Sequence, residues 1–340
     1  MKNTHSLWER LSTRNEIYLL AVVVVISIIF TMWNPNFLTL ENIFDMLRSS
    51  AFIGILSVGV LIVLVSGGID ISFTATATVA QYVMALVLIG HHDVHIGLVL
   101  LIPLLTGTAL GMVNGGLIYY FKAPPIIITI ATMSMYYGAL QYCSGGEWLY
   151  NFPRWFRKFP KTLVLEFTNA DGFRYGLSVL TLIWLALILV AFVLLRYTAF
   201  GRQIFAVGGN LEAARRSGIN ILKVYLFVYG FMGFLSGIGA IVHAWVTQTV
   251  APNALIGQEF TVITSVILGG ASIFGGFGTL SGTFLGVALV ALLNNGLTLM
   301  QVPAYWQKVA IGFILIISVS VTALQHSFST RRGHTVDVDE

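Results

Sequence analysis

Nine stretches of this chain run 21 residues or more without an Asp, Glu, Lys or Arg: 17–40, 49–69, 71–92, 94–121, 123–146, 175–195, 224–258, 260–307 and 309–330. A helix needs about 20 apolar residues to cross the hydrocarbon core of a bilayer, so seven of these stretches hold one span each. The stretch 260–307 is long enough for two, and 224–258 breaks between Gln248 and Asn253, around Ala251-Pro252, into one span plus a loop. The expectation is an all-α polytopic membrane protein with ten transmembrane helices. Hydrophobic residues make up 57% of the chain and charged residues 9%. A soluble domain carries roughly a quarter charged residues, so no soluble fold is open to it. A closed β-barrel would show short alternating segments in place of unbroken apolar runs.

The first apolar run, Ile17 to Trp33, is longer than a signal-peptide core and lacks a small-residue cleavage pattern before Asn34-Pro35, so it reads as the first span. Residues 1–16 then form an N-terminal segment, 17–326 a single transmembrane domain with a large loop at 196–223, and 327–340 a C-terminal tail. Ten spans put both ends on one side, and the excess of Lys and Arg in cytoplasmic loops places both termini inside. Lys122, Arg196, Arg202, Arg215, Arg216 and Lys223 then share the cytoplasmic side. The loop 147–174 runs against this count, since Arg154, Arg157, Lys158, Lys161 and Arg174 fall outside. Its basic and aromatic residues serve either docking or interfacial anchoring. The net charge of +4 therefore reflects topology. With no basic, aromatic-interleaved stripe on a soluble element, no nucleic-acid partner is expected. Tyr119, Tyr120, Trp148, Tyr150, Trp155, Trp245, Tyr305 and Trp306 fall near span ends, where aromatic rings settle at lipid headgroups. Cys143, the single cysteine, is expected to pack.

Small residues let membrane helices approach closely. Gly107, Gly111 and Gly115 line one helix face, and Gly278, Gly282 and Gly286 repeat the spacing; Gly107-Thr-Ala-Leu-Gly111 precedes Asn114-Gly-Gly-Leu117 and Pro124, as Gly282-Thr-Phe-Leu-Gly286 precedes Asn294-Asn-Gly-Leu297 and Pro303. A second echo joins Ser66-Gly67-Gly68-Ile69-Asp70 to Leu268-Gly269-Gly270-Ala271-Ser272. Such pairs hint at duplicated halves. They mark either tight interhelical turns or places where backbone opens onto a transport path.

Asp70 reads as the one acid closely bracketed by long apolar runs on both sides, and an intramembrane carboxylate is a functional candidate by default. It either lines a polar path with Ser72 and its neighbouring threonines or caps the helix that must begin there. His91-His92-Asp93-x-His95 matches no trusted zinc spacing and reads as a solvated outer loop. Gly276-x-Gly278-x3-Gly282 lacks the strand and helix context of a dinucleotide site and reads as packing. There is no Walker A sequence, no supported Ser/His/Asp order and no paired carboxylates, so the chain is not expected to be an enzyme.

The segment from Thr198 to Asn220 encodes a short helix with both ends marked. Asn210 caps its N-terminus with Glu212 in the positive first turn, while Arg215 and Arg216 complement the negative last turn before Gly218. A capped helix on the cytoplasmic face presents a rigid knob; the alternative is a linker whose arginines only fix topology.

These residues, with Ser66 to Ser72 and Leu268 to Gly286, resemble the permease subunits of bacterial ABC importers for sugars, a family that includes the ribose, xylose, arabinose, galactose and autoinducer-2 systems. The resemblance covers about residues 40 to 325. It implies that Gly208, Gly209, Asn210, Ala213, Ala214, Arg215 and Gly218 couple to an ATPase subunit, which carries ATP and Mg, while this chain carries no cofactor. It also implies a periplasmic sugar-binding protein, a second permease subunit, identical or sibling, and a place in the bacterial inner membrane. The chain departs from the family at Phe73-Thr74-Ala75, where Val-Gly-Ser is usual, and at Tyr137, where an Arg commonly precedes the glycine. A sugar path needs hydroxyl and amide groups on apolar walls, for which Asp70, Ser72, Asn114 and Thr129 are the candidates. The rival expectation is an ion-coupled secondary transporter, for which broken helices and repeats are also typical.

Overall fold

The computed structural model describes residues 15–90, 95–169, 172, 174–314, 316–317 and 320. Helix α1 (Asn15–Trp33) leads through a 3-10 turn at Pro35–Leu38 into α2 (Leu40–Val65), α3 (Phe73–Gly90), α4 (Ile96–Phe121) and α5 (Pro125–Ser144). A short α6 (Arg154–Lys158) precedes an antiparallel hairpin of β1 (Leu163–Thr168) and β2 (Arg174–Ser178). Then come α7 (Val179–Tyr197), α8 (Ala199–Gly209), α9 (Leu211–Arg216), α10 (Ile221–Thr247), α11 (Gln258–Leu268) and α12 (Leu280–Leu299). Among the described residues, eight helices are long and apolar enough to cross a membrane: α1 to α5, α7, α10 and α12. The chain is an all-α polytopic membrane protein.

Of the two passes expected in the charge-free stretch 260–307, α12 is a full-length helix, while the other is the 11-residue α11; with its lead-in from Val250, paired with Leu149, to Gly276, against Gly209, this segment still runs from one end of the bundle to the other. Helix α11 stops because Gly270 takes a left-handed φ of +86°, and Gly275 and Gly276 continue with φ of +91° and +72°, a region that favours glycine. The expected last span, 309–330, lies largely outside the described residues, although 304–314 is helical. The break expected after Gln248 is present. Helix α10 ends at Thr247 with Gln248 left-handed. The terminal segments 1–14 and 321–340 lie outside the described residues.

Helix ends are closed locally, which matters where water is scarce. Thr39, Ser178, Asn220 and Thr279 accept backbone N–H bonds at the starts of α2, α7, α10 and α12. Helix α2 is the buried axis, with nearly every residue from Ser50 to Val65 inaccessible. Helix α10 packs on α2, α3 and α4. Added Cβ atoms at Gly107, Gly111 and Gly115 would overlap the α10 carbonyls of Gly233, Tyr229 and Tyr225, and Gly233 and Gly237 return the contact to α4. The first glycine row is therefore a backbone-to-backbone seam. In the second row, Gly282 and Gly286 meet the carbonyls of Gly269 and Ser265, so α12 packs on α11 and its closing turn, while Gly278 lies before α12 against Leu61.

The two ends of the bundle differ. At one end α6, the hairpin and the loop after α10 cluster: Phe44 near the start of α2 stacks on Phe167 of β1 with centroids 6.1 Å apart, and Leu149 pairs with Val250. The hairpin was not foreseen in the 147–174 loop. Trp245, expected at the headgroups, is instead buried between Phe156 and Phe159, with ring centroids at 5.8 and 4.5 Å. Cys143, expected to pack, is exposed at the end of α5. His91, His92 and Asp93 lie outside the described residues; His95 caps α4 through a 3.1 Å bond from the Gly97 N–H to its Nδ1. The opposite end carries α8 and α9.

Candidate coupling surface and buried polar network

The 198–220 segment folds as its residues dictate. Thr198 caps α8 by accepting from the Gly201 N–H at 2.9 Å. Asn210 then serves two helices at once: its N–H donates to the Ala206 carbonyl at 3.0 Å, and its Oδ1 accepts from the Ala213 N–H at 2.9 Å, opening α9. Glu212 pairs with Arg216 at 3.3 Å and Arg215 at 3.7 Å, exposed contacts that add little stability. At the far end Gly218 has φ +81°, its N–H reaching the Arg215 carbonyl at 3.0 Å while the Ile219 N–H reaches that of Ala214 at 3.2 Å. This is the glycine-closed helix stop that the sequence marks.

The seven residues singled out here divide by direction. Gly209, Asn210, Ala213, Arg215 and Gly218 are exposed, whereas Ala214 is buried and Gly208 is turned against the chain's own backbone. An added Cβ at Gly209 meets nothing within 4 Å. At Gly208 it would overlap the Val65 carbonyl, with the carbonyl carbon of Ser66 at 2.8 Å. Gly67, with φ +82°, approaches Gly208 from α2, while Gly275 and Gly276 approach Gly208 and Gly209 from the turn after α11, and the Gly276 N–H donates to the Val65 carbonyl at 3.0 Å. Three glycine-bearing turns thus meet backbone to backbone. A displacement of α8 must carry the end of α2 and the α11–α12 turn with it, because no side chain lies between to absorb it.

Cap loss gives a local test. Asn210→Ala is expected to cost α9 about 0.5–2 kcal/mol, read as faster amide hydrogen exchange across residues 211–216, with Asn210→Asp close to the parent. Equal exchange in Asn210→Ala would show that the side chain holds nothing.

Asp70, Ser72, Asn114 and Thr129 come together. Asp70 Oδ1 accepts from both the N–H and the Oγ–H of Ser72, each at 2.7 Å. Asn114 Nδ2 donates to Ser72 Oγ at 2.7 Å, Tyr136 hydroxyl reaches Asn114 Oδ1 at 3.4 Å, and Thr129 Oγ1 donates to the Ile69 carbonyl at 3.1 Å. The Ser72 carbonyl accepts from the Thr76 N–H at 2.8 Å, opening α3. The network ties the start of α3 to α4 and α5. All four residues are buried, and Asp70 lies one short turn from the Gly67 contact with Gly208. In this conformation Asp70 closes the turn that leads into α3.

Three polar residues went unnoticed in the sequence. Glu259, buried, accepts from Thr74 Oγ1 at 3.2 Å and from the Gly257 N–H at 3.0 Å. Gln81 Oε1 lies 3.0 Å from His243 Nδ1. Thr74, Thr78 and Gln81 share one face of α3 by their spacing. The signal for Glu259 was present, since charge-free runs flank it as they flank Asp70. The Ser66 and Leu268 echoes are both tight turns: α2 closes with the Gly68 N–H on the Val63 carbonyl, and α11 with the Ala271 N–H on that of Val266. Among the described residues no group of three or more His, Cys, Asp or Glu is placed to hold a metal.

Known proteins resemble the chain along most of its length. Ribose import permease protein RbsC of Haemophilus influenzae is 30% identical over 311 residues, covering 88% of this chain and 90% of that one. Galactose/methyl galactoside import permease protein MglC of Salmonella typhimurium is 33% identical over 326 residues, covering 92% and 94%. The probable ABC transporter permease protein YphD of Escherichia coli is 31% identical over 320 residues. No solved structure matches the chain significantly. Residues 42–319, from the first turn of α2 to beyond α12, match the family described as branched-chain amino acid transport system / permease component, and the chain belongs to that permease family.

Proposed function

We propose that this chain is the transmembrane permease subunit of a binding-protein-dependent ABC importer that carries a sugar or similar small polar solute across the bacterial inner membrane, with both termini in the cytoplasm. The observation that carries the reading is the outward-facing, doubly capped α9, locked through Gly208 to the ends of α2 and α11. The exposed side of Gly209, Asn210, Ala213, Arg215 and Gly218 offers an ATPase groove a rigid knob, and Gly208 hands its motion to the bundle. ATP and Mg reside on that partner, and this chain supplies geometry without a cofactor. The ribose and galactose permeases to which it is similar favour a sugar as the solute.

Two surfaces fit the remaining partners. The exposed face of α5 carries Ser134, Gly138 and Gln141, spaced along one helix side, and nothing lies within 4 Å of a Cβ added at Gly138. Small and polar residues serve close helix contact better than lipid contact, so this face receives the second permease. On the opposite side from α9, α6 turns Phe156 inward and Arg154, Arg157 and Lys158 outward, a cationic rim for a periplasmic binding protein. The ion-coupled reading loses ground because the buried acids Asp70 and Glu259 both accept hydrogen bonds at helix starts and form no relay.

Reconstitution tests this. Solute uptake into proteoliposomes is expected only with ATP, the ATPase that co-purifies with the chain and a soluble binding protein together. Uptake by the chain alone under an ion gradient would replace this reading with a secondary transporter.

A further inference from the structure

A groove of about 1180 Å³ opens sideways between α1, α7 and α12, larger than the roughly 300–1,000 Å³ of a small-molecule site. Its walls are apolar along most of their length, with Leu189 and Phe192 of α7 facing Phe284 of α12. One end is polar. There α1 and α12 begin and α7 ends, bringing Glu16, Ser281 and Arg196 to the same rim. Glu16 Oε1 accepts from Thr279 Oγ1 and Ser281 Oγ, each at 2.6 Å. Among the described residues no carboxylate pairs with Arg196, whose guanidinium carbon lies 6.0 Å from the Phe192 ring centroid.

In a bilayer such a groove faces acyl chains, and its walls hold no polar groups that would retain water at depth. A guanidinium at the rim matches a phosphate in shape and charge. We propose that the groove is a fixed site for one glycerophospholipid, its phosphate on Arg196 and one acyl chain along Leu189 and Phe192. The position matters because Phe205 of α8 and the Gly269–Gly278 turn also form the wall, and that turn touches Gly208 and Gly209. A lipid seated there braces the glycine junction from the membrane side. The site is independent of the solute and of the importer reading.

Native mass spectrometry of the full chain, released from detergent and titrated with dioleoyl phosphatidylethanolamine, tests it. One lipid is expected to persist at activation that strips the rest. Arg196→Ala should weaken it about tenfold, the scale of a lost charge-assisted hydrogen bond, and Leu189→Trp, at a site 62% exposed where the larger ring meets no core, should remove it. Arg202→Ala, an exposed cation outside the groove, should leave it unchanged, and dioleoylglycerol, which lacks the phosphate, should not persist. Equal retention of dioleoylglycerol, equal binding by all variants, or a change of oligomeric state in Leu189→Trp without loss of lipid would each overturn the assignment. A readout free of variants is hydrogen exchange in the parent chain: bound phosphatidylethanolamine should slow residues 199–209 and 269–279, and no change there would also overturn it.

Discussion

Gly209→Trp is expected to abolish ATP-driven uptake while leaving this chain folded and inserted. Its Cβ position opens onto free space, so an indole there disturbs nothing within the chain and instead meets whatever docks on the knob. Overpacking a formed contact costs about 1–3 kcal/mol, which is roughly a 5- to 150-fold loss of association. The neighbouring residue separates docking from transmission. Gly208→Val places branched carbon where the Val65 carbonyl and Ser66 already stand, and backbone cannot yield as a flexible side chain does. That variant should lose thermal stability by several degrees in detergent, with hydrogen exchange rising at the ends of α2 and α8 and at the 269–279 turn together. The discriminating measurement is parallel: unfolding midpoint and ATPase co-purification for both variants. If Gly209→Trp transports normally, the knob is not the docking surface. If Gly208→Val keeps the parent midpoint, the three turns are not mechanically joined.

Much of this architecture was legible because hydrocarbon excludes charge. The span boundaries followed from runs without Asp, Glu, Lys or Arg, and the Asn210 cap followed from residue type and position alone. The same criterion failed where low charge reports protein interior and not lipid. Residues 260–268 carry no charge because α11 is packed against α2 and α12, and only the left-handed glycines that follow reveal how short the helix is. It also began α2 too late, since Glu41, Asp45 and Arg48 occupy its first turns, where an end of the helix carries charge without cost. Trp245 reads as a headgroup anchor by location in sequence, yet it is buried by Phe156 and Phe159, which arrive from a loop far away in the chain. The meeting of Gly67, Gly208 and Gly276 could not be read either. Each pair of glycines explains itself as a turn or a helix end, and only tertiary packing makes them one contact.

Asp70 offers the sharper test of what the polar network is for. Asp70→Ala removes the acceptor of two buried donors, the Ser72 N–H and Oγ–H. Each buried donor left unsatisfied costs about 1–3 kcal/mol, and in the membrane no water replaces the lost partner. The start of α3 then loosens, and with it the anchors of Asn114 and Tyr136. Folded yield and uptake are expected to fall together. Asp70→Asn keeps an oxygen where Oδ1 stands and replaces the charged Oδ2 with a neutral NH2, so a turn-closing role predicts that this variant retains most of its folded yield and its uptake. A carboxylate that instead contacts the moving solute, or changes charge during the cycle, predicts a folded Asp70→Asn protein that does not transport. Size-exclusion yield and uptake, measured on the two variants side by side, separate these outcomes. The hydrogen bonds favour the first, because the oxygen facing Ser72 is already committed to a turn that begins a helix one short step from the glycine junction.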